Sequence, residues 1–207
     1  MYSEKFKTIF VHIPKTGGQS IEHVFIADSG LTWETRAALL LRRKTKEEKG
    51  PNRLAHLLAR EYVPFGYVTQ DDFAASFKFA VVRNPYDRAI SEYRYKIIDK
   101  PAARDLTFRE YVTSLETGKR TRHDVPQSDF VLDKSGMMVV DKVLRFENLA
   151  EDFADVSRRI FGRAIDLPYV NKSTGAMPVD AEDAGLRRTL HRFYERDFDL
   201  FKYPGGF

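Results

Sequence analysis

Phe10-Val11-His12-Ile13-Pro14-Lys15-Thr16-Gly17-Gly18-Gln19-Ser20 is an apolar run that stops at a glycine-rich turn carrying a lysine and two hydroxyls. The residues before the turn, from Thr8 to Ile13, are mostly β-branched or aromatic and predict a strand. Those after it, Ile21, Val24 and Phe25, have the i, i+3, i+4 spacing of one helix face. Gly17 and Gly18 let the backbone turn its N–H groups toward a ligand with no Cβ in the way, and the helix starting near Ser20 aims its positive dipole end at the same place. The chemistry of such a strand–loop–helix calls for a phosphate or sulfate group. The competing reading of the residues alone is a tight Pro/Gly turn with an exposed lysine.

Residue order separates this loop from the nucleoside-triphosphatase type. There the lysine follows the glycines in G-x-x-x-x-G-K-[ST] and reaches the terminal phosphates. Here Lys15 precedes them, so its ammonium is expected to meet the ligand from the strand side, near the bond beside the first phosphate.

A second segment has the same design. Phe77 to Val82 predicts another buried strand and runs into Arg83-Asn84-Pro85-Tyr86-Asp87-Arg88, then a helix through Ile90, Tyr93, Arg94 and Ile97. Pro85 suits a first helical turn, where its missing N–H costs nothing. Arg83 stands at the carboxyl end of the strand and Ser91 two turns into the helix. Ligands of open α/β sheets bind outside the carboxyl ends of the strands, so Arg83 and the Lys15 loop are expected to share one crevice. An arginine fork with a hydroxyl suits a second phosphate. Read without that ligand, Asp87 and Arg88 would merely cap and decorate a helix.

P-K-T-G-G-x-S after a strand resembles the 5′-phosphosulfate loop of the sulfotransferases that use 3′-phosphoadenosine 5′-phosphosulfate (PAPS), and V-V-R-N-P-Y-D-R-A-I-S-E-Y resembles their 3′-phosphate motif. The resemblance implies that Lys15, Thr16, Gly17, Gly18, Gln19 and Ser20 hold the phosphosulfate and that Arg83 and Ser91 hold the 3′-phosphate. It extends along most of the chain through Val143-Leu144-Arg145-Phe146-Glu147-Asn148-Leu149, Asn171-Lys172-Ser173-Thr174 and Tyr194-Glu195-Arg196-Asp197-Phe198, which are similar to landmarks of the carbohydrate-type branch containing the heparan and chondroitin enzymes. In that branch the loop at Asn171–Thr174 closes over the nucleotide, so Lys172, Ser173 and Thr174 join the expected contacts; as plain chemistry it is also an ordinary polar loop.

With 207 residues and 43% hydrophobic content, the chain can bury about 70% of its unfolded surface in a single core, so one domain over residues 1–207 is expected. There are no cysteines, which excludes a disulfide frame and thiolate metal sites and tolerates a reducing compartment. The five histidines have no zinc-type spacing, so no metal is expected. No apolar run approaches the ~20 residues of a membrane span, and the N-terminus lacks a signal-peptide core. Golgi enzymes of the resembling branch carry a membrane anchor; the expectation here is a cytoplasmic, bacterial relative or a chain whose anchor has been removed.

Charge is uneven. Eight Lys/Arg between Arg36 and Arg60 face only Glu47 and Glu48, a surplus of six in a chain whose total is +4. Leu39-Leu40-Leu41 followed by Arg42-Arg43-Lys44-Thr45-Lys46 predicts the end of an amphipathic helix entering a solvated, mobile loop that ends at Gly50-Pro51. Such a patch serves solubility, or attracts an anionic glycan or the donor itself. Nucleic acid is not expected, since no recognition motif accompanies it.

Sulfuryl transfer needs an aligned donor, neutralisation of the departing phosphate and a base for the attacking hydroxyl. Lys15 is placed to stabilise the bridging oxygen, with Thr16 and the loop N–H groups assisting. For the base His56 is favoured: an imidazole can accept a hydroxyl proton near neutral pH, and His56 lies upstream of the Arg83 strand, where the resembling family places its catalytic histidine. As a bland alternative it is a histidine packed among leucines on a helix. His12 is expected in the core or behind the site, His23 and His191 on helices beside charged residues, and His123 in the basic Lys119–Arg122 turn; Glu34 is the carboxylate rival.

The fold expected is α/β, a P-loop-like central parallel sheet with helices on both faces. Its strands lie near residues 7–13, 77–82 and 140–146, with a short one at Gly66–Val68. A C-terminal helix from about residue 180 to 198 is predicted to pack Leu186, Leu190, Phe193 and Tyr194 on the sheet, followed by a loose tail from Pro204. The activity implied is transfer from PAPS, releasing the 3′,5′-bisphosphate PAP, to a hydroxyl of a glycan or glycoconjugate. Two other readings stand beside it: a nucleotide kinase or triphosphatase, and a non-catalytic binder of anionic glycans or nucleotides. Acceptor identity and oligomeric state are not written in these motifs.

Overall fold

Four strands form one sheet in the order β1-β2-β3-β4: β1 (Tyr2–Ser3), β2 (Thr8–Val11), β3 (Phe77–Val82) and β4 (Lys142–Arg145). β2, β3 and β4 are parallel, and the short β1 runs antiparallel along β2. The computed structural model describes residues 1–118, 120–168 and 177–205. Its helices are α1 (Gly18–Asp28), α2 (Gln70–Ala75), α3 (Pro85–Asp99), α4 (Phe108–Thr117), α5 (Gln127–Val131), α6 (Leu149–Phe161), α7 (Ala184–Phe193) and α8 (Glu195–Phe201). The fold class is the expected α/β, and the three long strands fall within their predicted spans. The chain gathers into two compact units, Met1–Val82 with Asp129–Val170, and Arg83–Ser128 with Asn171–Phe207.

The first unit holds the whole sheet. β2 is buried at every residue and β3 at all but its first, as expected for parallel strands covered on both sides. Register pairs Phe10 with Phe79 and Val81 with Leu144 on one face, and the Phe10 and Phe79 rings stack at 4.9 Å. Against this face pack Ile21, Val24 and Phe25 of α1 and Phe153 and Val156 of α6. Each such side chain contributes about 1.5–3 kcal/mol by leaving water, which fixes α1, and with it the loop before α1, on the carboxyl end of β2.

Three expectations for this unit are corrected. Gly66–Val68 is a turn, because Gly66 takes a left-handed φ of 77° and the Tyr67 N–H bonds back to the Tyr62 carbonyl. Leu39–Leu41 does not end an amphipathic helix: Arg36–Leu39 is a single 3-10 turn, closed by Leu40 at a positive φ. The segment after it is held by a bidentate Arg42–Glu48 pair and by an isolated antiparallel bridge between Arg43 and Arg53.

The second unit is helical. Asn84 caps α3 by accepting the Tyr86 N–H, with Pro85 at the first helical position. Thr107 and Glu110 form a capping box on α4, and Asp183 caps α7. The predicted C-terminal helix breaks at Tyr194 into α7 and α8. Its stripe of Leu186, Leu190 and Tyr194 is buried, and α7 packs on α3 and α4, because those helices present the nearest apolar faces. The tail is engaged through Gly205, whose carbonyl accepts the Tyr86 hydroxyl at 3.4 Å. No helix among the described residues is long and apolar enough to cross a membrane.

Candidate functional site

β2 ends at Val11, and the chain then climbs through His12, Ile13 and Pro14 to Lys15, which takes a left-handed φ of 70°. That conformation costs a non-glycine residue about 1–2 kcal/mol, and strain of this kind gathers where geometry serves a ligand. Thr16 is buried and its hydroxyl donates to the Ile13 carbonyl at 2.9 Å, tying the turn shut. The Thr16 side chain therefore shapes the loop. Gly17 follows at φ 79° as the N-cap of α1, with Phe146 and Leu149 directly behind it. Gly18 opens the helix under a stricter constraint: a Cβ there would lie 2.3 Å from Cδ2 and Nε2 of His12. Lys15, Gln19 and Ser20 are half-buried at the start of α1, so the loop presents a cation and a helix N-terminus together.

The strand residue His12 proves central to this arrangement. Its imidazole is buried, and Nδ1 donates to Oε1 of Glu22 at 2.5 Å. Burial pushes the Glu22 carboxyl up, but the charge of His12 and this hydrogen bond outweigh it and hold the group below its ordinary value. His56 sits at the end of a single 3-10 turn, Leu54–His56, whose first two residues are buried. Its Nδ1 lies 3.0 Å from the His12 carbonyl, and the two rings meet edge to face at 4.7 Å. A carbonyl only accepts, so Nδ1 of His56 carries hydrogen and the neutral ring has Nε2 as its basic atom. The structure thus brings the favoured histidine to the stem of the Lys15 loop, on a turn rather than the helix imagined for it.

In the second unit Arg83 directly follows β3 in the chain, and both of its backbone groups are held by one side chain. Gln127 accepts the Arg83 N–H at 2.9 Å and donates to the Arg83 carbonyl at 2.8 Å. Asp197, buried, in turn accepts the backbone N–H groups of Gln127 and Ser128, each at 2.8 Å; burial raises its carboxyl above the ordinary value in spite of those bonds. Ser91 lies buried on α3. Arg88 is buried rather than decorative, donating to the carbonyls of His123 and Val125 at 2.7 and 2.9 Å. His123 bonds Glu92 at 2.9 Å instead of standing open in a basic turn. Lys172, Ser173 and Thr174 lie outside the described residues.

Sequence reasoning missed Glu22, Gln127 and the task of Asp197. A carboxylate at an apolar position of α1, between Ile21 and Val24, was a usable signal for a buried pair. For Gln127 no local signal exists, since its partner is 44 residues away. Two landmark segments acquire physical roles: Phe146 and Leu149 back the Gly17 turn, and Asp197 fixes the Gln127 clamp.

Carbohydrate sulfotransferase 10 of Danio rerio is 26% identical over 249 aligned positions, covering 97% of this chain and 65% of that protein; the chain therefore spans just under two thirds of the relative's length. The profile of the Sulfotransferase family matches residues 1–204, nearly the whole sequence and both motif regions. The chain belongs to the sulfotransferase family.

Proposed function

We propose that residues 1–207 work as one PAPS-dependent O-sulfotransferase domain that transfers a sulfuryl group to a hydroxyl of a carbohydrate. The observation that carries this reading is the joint placement of a strained Lys15 turn and His56 on one strand end, the latter through its bond to the His12 carbonyl. In this reading the N–H groups from Thr16 to Ser20 and the α1 dipole hold the 5′-phosphosulfate, and Arg83 with Ser91 holds the 3′-phosphate. Lys172, Ser173 and Thr174 are assigned to the nucleotide on the strength of the sequence motif alone. Nε2 of His56 takes the acceptor's proton while the hydroxyl oxygen bonds to sulfur. The sulfur bond to the bridging oxygen breaks in line, and Lys15 neutralises the charge that collects there, leaving PAP as product.

An acidic glycan is favoured as acceptor by how charge is used beside His56. In the basic segment Glu48 binds Arg42, and the Thr45 hydroxyl holds the Glu47 carboxyl below its ordinary value. Arg60 reaches the carbonyls of Asp129 and Leu132. Arg43 and Arg53 stand directly opposite each other across the bridge, both exposed. The flanking bonds, Lys44 N–H to the Asn52 carbonyl and Leu54 N–H to the Arg42 carbonyl, make this the close, non-hydrogen-bonded type of pair. Like charges so placed are unfavourable without an anion.

Calorimetric titration with PAP and with ATP plus magnesium tests the reading. PAP is expected to bind at least 10-fold more tightly; preference for ATP would replace it with the kinase reading. Radiolabelled sulfate transfer to uronic-acid glycans and their carboxyl-reduced forms tests the acceptor class, and PAP binding with no transfer to any of them leaves the non-catalytic binder.

A further inference from the structure

We propose that Glu22 and His12 are a positioning pair for this site: one buried hydrogen bond holds the imidazole on which both the start of α1 and His56 are set. The proposal rests on the sulfotransferase reading for its kinetic part, and on the observed contacts for the rest.

Glu22 lies in the second turn of the helix whose first turn forms the anion loop. A carboxylate there opposes binding of an anion, and burying it is costly unless it is paired. An apolar residue would continue the stripe of Ile21, Val24 and Phe25 at no such cost. The carboxylate is instead bonded to His12 at 2.5 Å, with both side chains 7% exposed. His12 then touches two residues that bear on the reaction, Gly18 and His56. Its ring edge lies against the Cα of Gly18, leaving no room for a Cβ, and so fixes the height of the first helical turn. Its carbonyl receives the Nδ1–H of His56, and its ring meets the His56 ring edge to face. If Glu22 lets go, the His12 ring loses the hydrogen bond that sets its orientation, and Gly18 and His56 lose a common support. Neither Glu22 nor His12 need touch substrate.

Three variants separate this from a general structural role. Glu22→Gln keeps an acceptor for the His12 Nδ1–H. Glu22→Met keeps the length without an acceptor, and Glu22→Ala removes both. Expected are a fall in kcat of at least 10-fold in Glu22→Met and Glu22→Ala, affinity for PAP, which lacks the transferred group, within about 3-fold of wild type, and kcat in Glu22→Gln restored to within about 3-fold. Ring nitrogen NMR of 15N-histidine protein should show His12 Nδ1 protonated in wild type and Glu22→Gln, and shifted toward the Nε2–H form in Glu22→Met, with the His56 signals moving as well. Unchanged kcat in Glu22→Met, equal losses of kcat and PAP affinity, a Gln variant no better than Met, or unaltered His12 and His56 spectra would each overturn the proposal. Wild type that does not bind PAP would sink the sulfotransferase reading, whereas the spectra, recorded without nucleotide, still decide the pair.

Discussion

Substituting Gly18 by alanine isolates one close contact at the candidate site. The added Cβ would stand 2.3 Å from Cδ2 and Nε2 of His12 and 2.9 Å from Cε1, more than an ångström inside ordinary carbon contact. The ring cannot yield cheaply, because Glu22 holds Nδ1 at 2.5 Å and the stack with Phe10 at 5.3 Å limits it on another side. Overpacking of this kind costs about 1–3 kcal/mol, or a fall in Tm of roughly 2–4 °C for each kcal/mol in a chain of this size. The shift must fall on the loop, so PAP affinity should drop at least 10-fold, about 1.4 kcal/mol. Gly30→Ala is the control: its Cβ meets nothing within 4 Å, but its φ of 71° is left-handed, so it should lose about 1 kcal/mol of stability and no affinity. The assay is a double-mutant cycle with His12→Ala, scored by thermal unfolding and PAP titration. Removing the ring removes the obstacle, so Gly18→Ala should cost less in the His12→Ala background, with a coupling of about 1 kcal/mol or more. Additive effects, or a Gly18→Ala protein that binds PAP as wild type does, would refute the steric reasoning.

Other outcomes follow from the same geometry. Lys15→Ala should lower kcat by about 100- to 1,000-fold, the scale of losing one transition-state donor, while Lys15→Gly, equally inactive, should unfold at a higher temperature because about 1 kcal/mol of left-handed strain is relieved. Gln127→Leu removes both bonds to the Arg83 backbone and should weaken PAP while leaving adenosine 5′-phosphosulfate, which has no 3′-phosphate, within about 3-fold, as titration of both would show. Acid sensitivity has a definite sign at Glu22, whose folded value lies below 4.5. As pH falls below about 4.5 the unfolded chain takes up the proton first, so stability present above that pH is lost through the folded value. Urea unfolding across about pH 3–6 should therefore be flatter in Glu22→Gln than in wild type.

Strand runs, the glycine turn and the order of lysine and glycines were legible because each is a local property. β3 came out at its predicted residues, since Phe77 to Val82 can only be satisfied by burial on both sides. The C-terminal helix was misjudged because periodicity reports an apolar stripe without reporting its partner, and α7, which carries Leu186 and Leu190, packs on α3 and α4. His56 was placed beside the loop, but the means was invisible: its partner is a backbone carbonyl 44 residues earlier, and carbonyls have no residue code. The basic segment gave its surplus charge correctly, while only the bridge register reveals that Arg43 and Arg53 are the ones set face to face.

The sequence by itself determined the local form of the Lys15 turn, because φ freedom, a helix start and one cation are all encoded within about a dozen residues. Only the tertiary structure decided what holds this turn and His56 in the first unit and the Arg83 backbone in the second. The bonds from Glu22 to His12, from His12 to His56 and from Asp197 through Gln127 to Arg83 join residues between 10 and 70 positions apart. Hydrogen bonds in a buried interior depend on distances of a few tenths of an ångström, and such distances are set by packing of the whole core rather than by any stretch of chain.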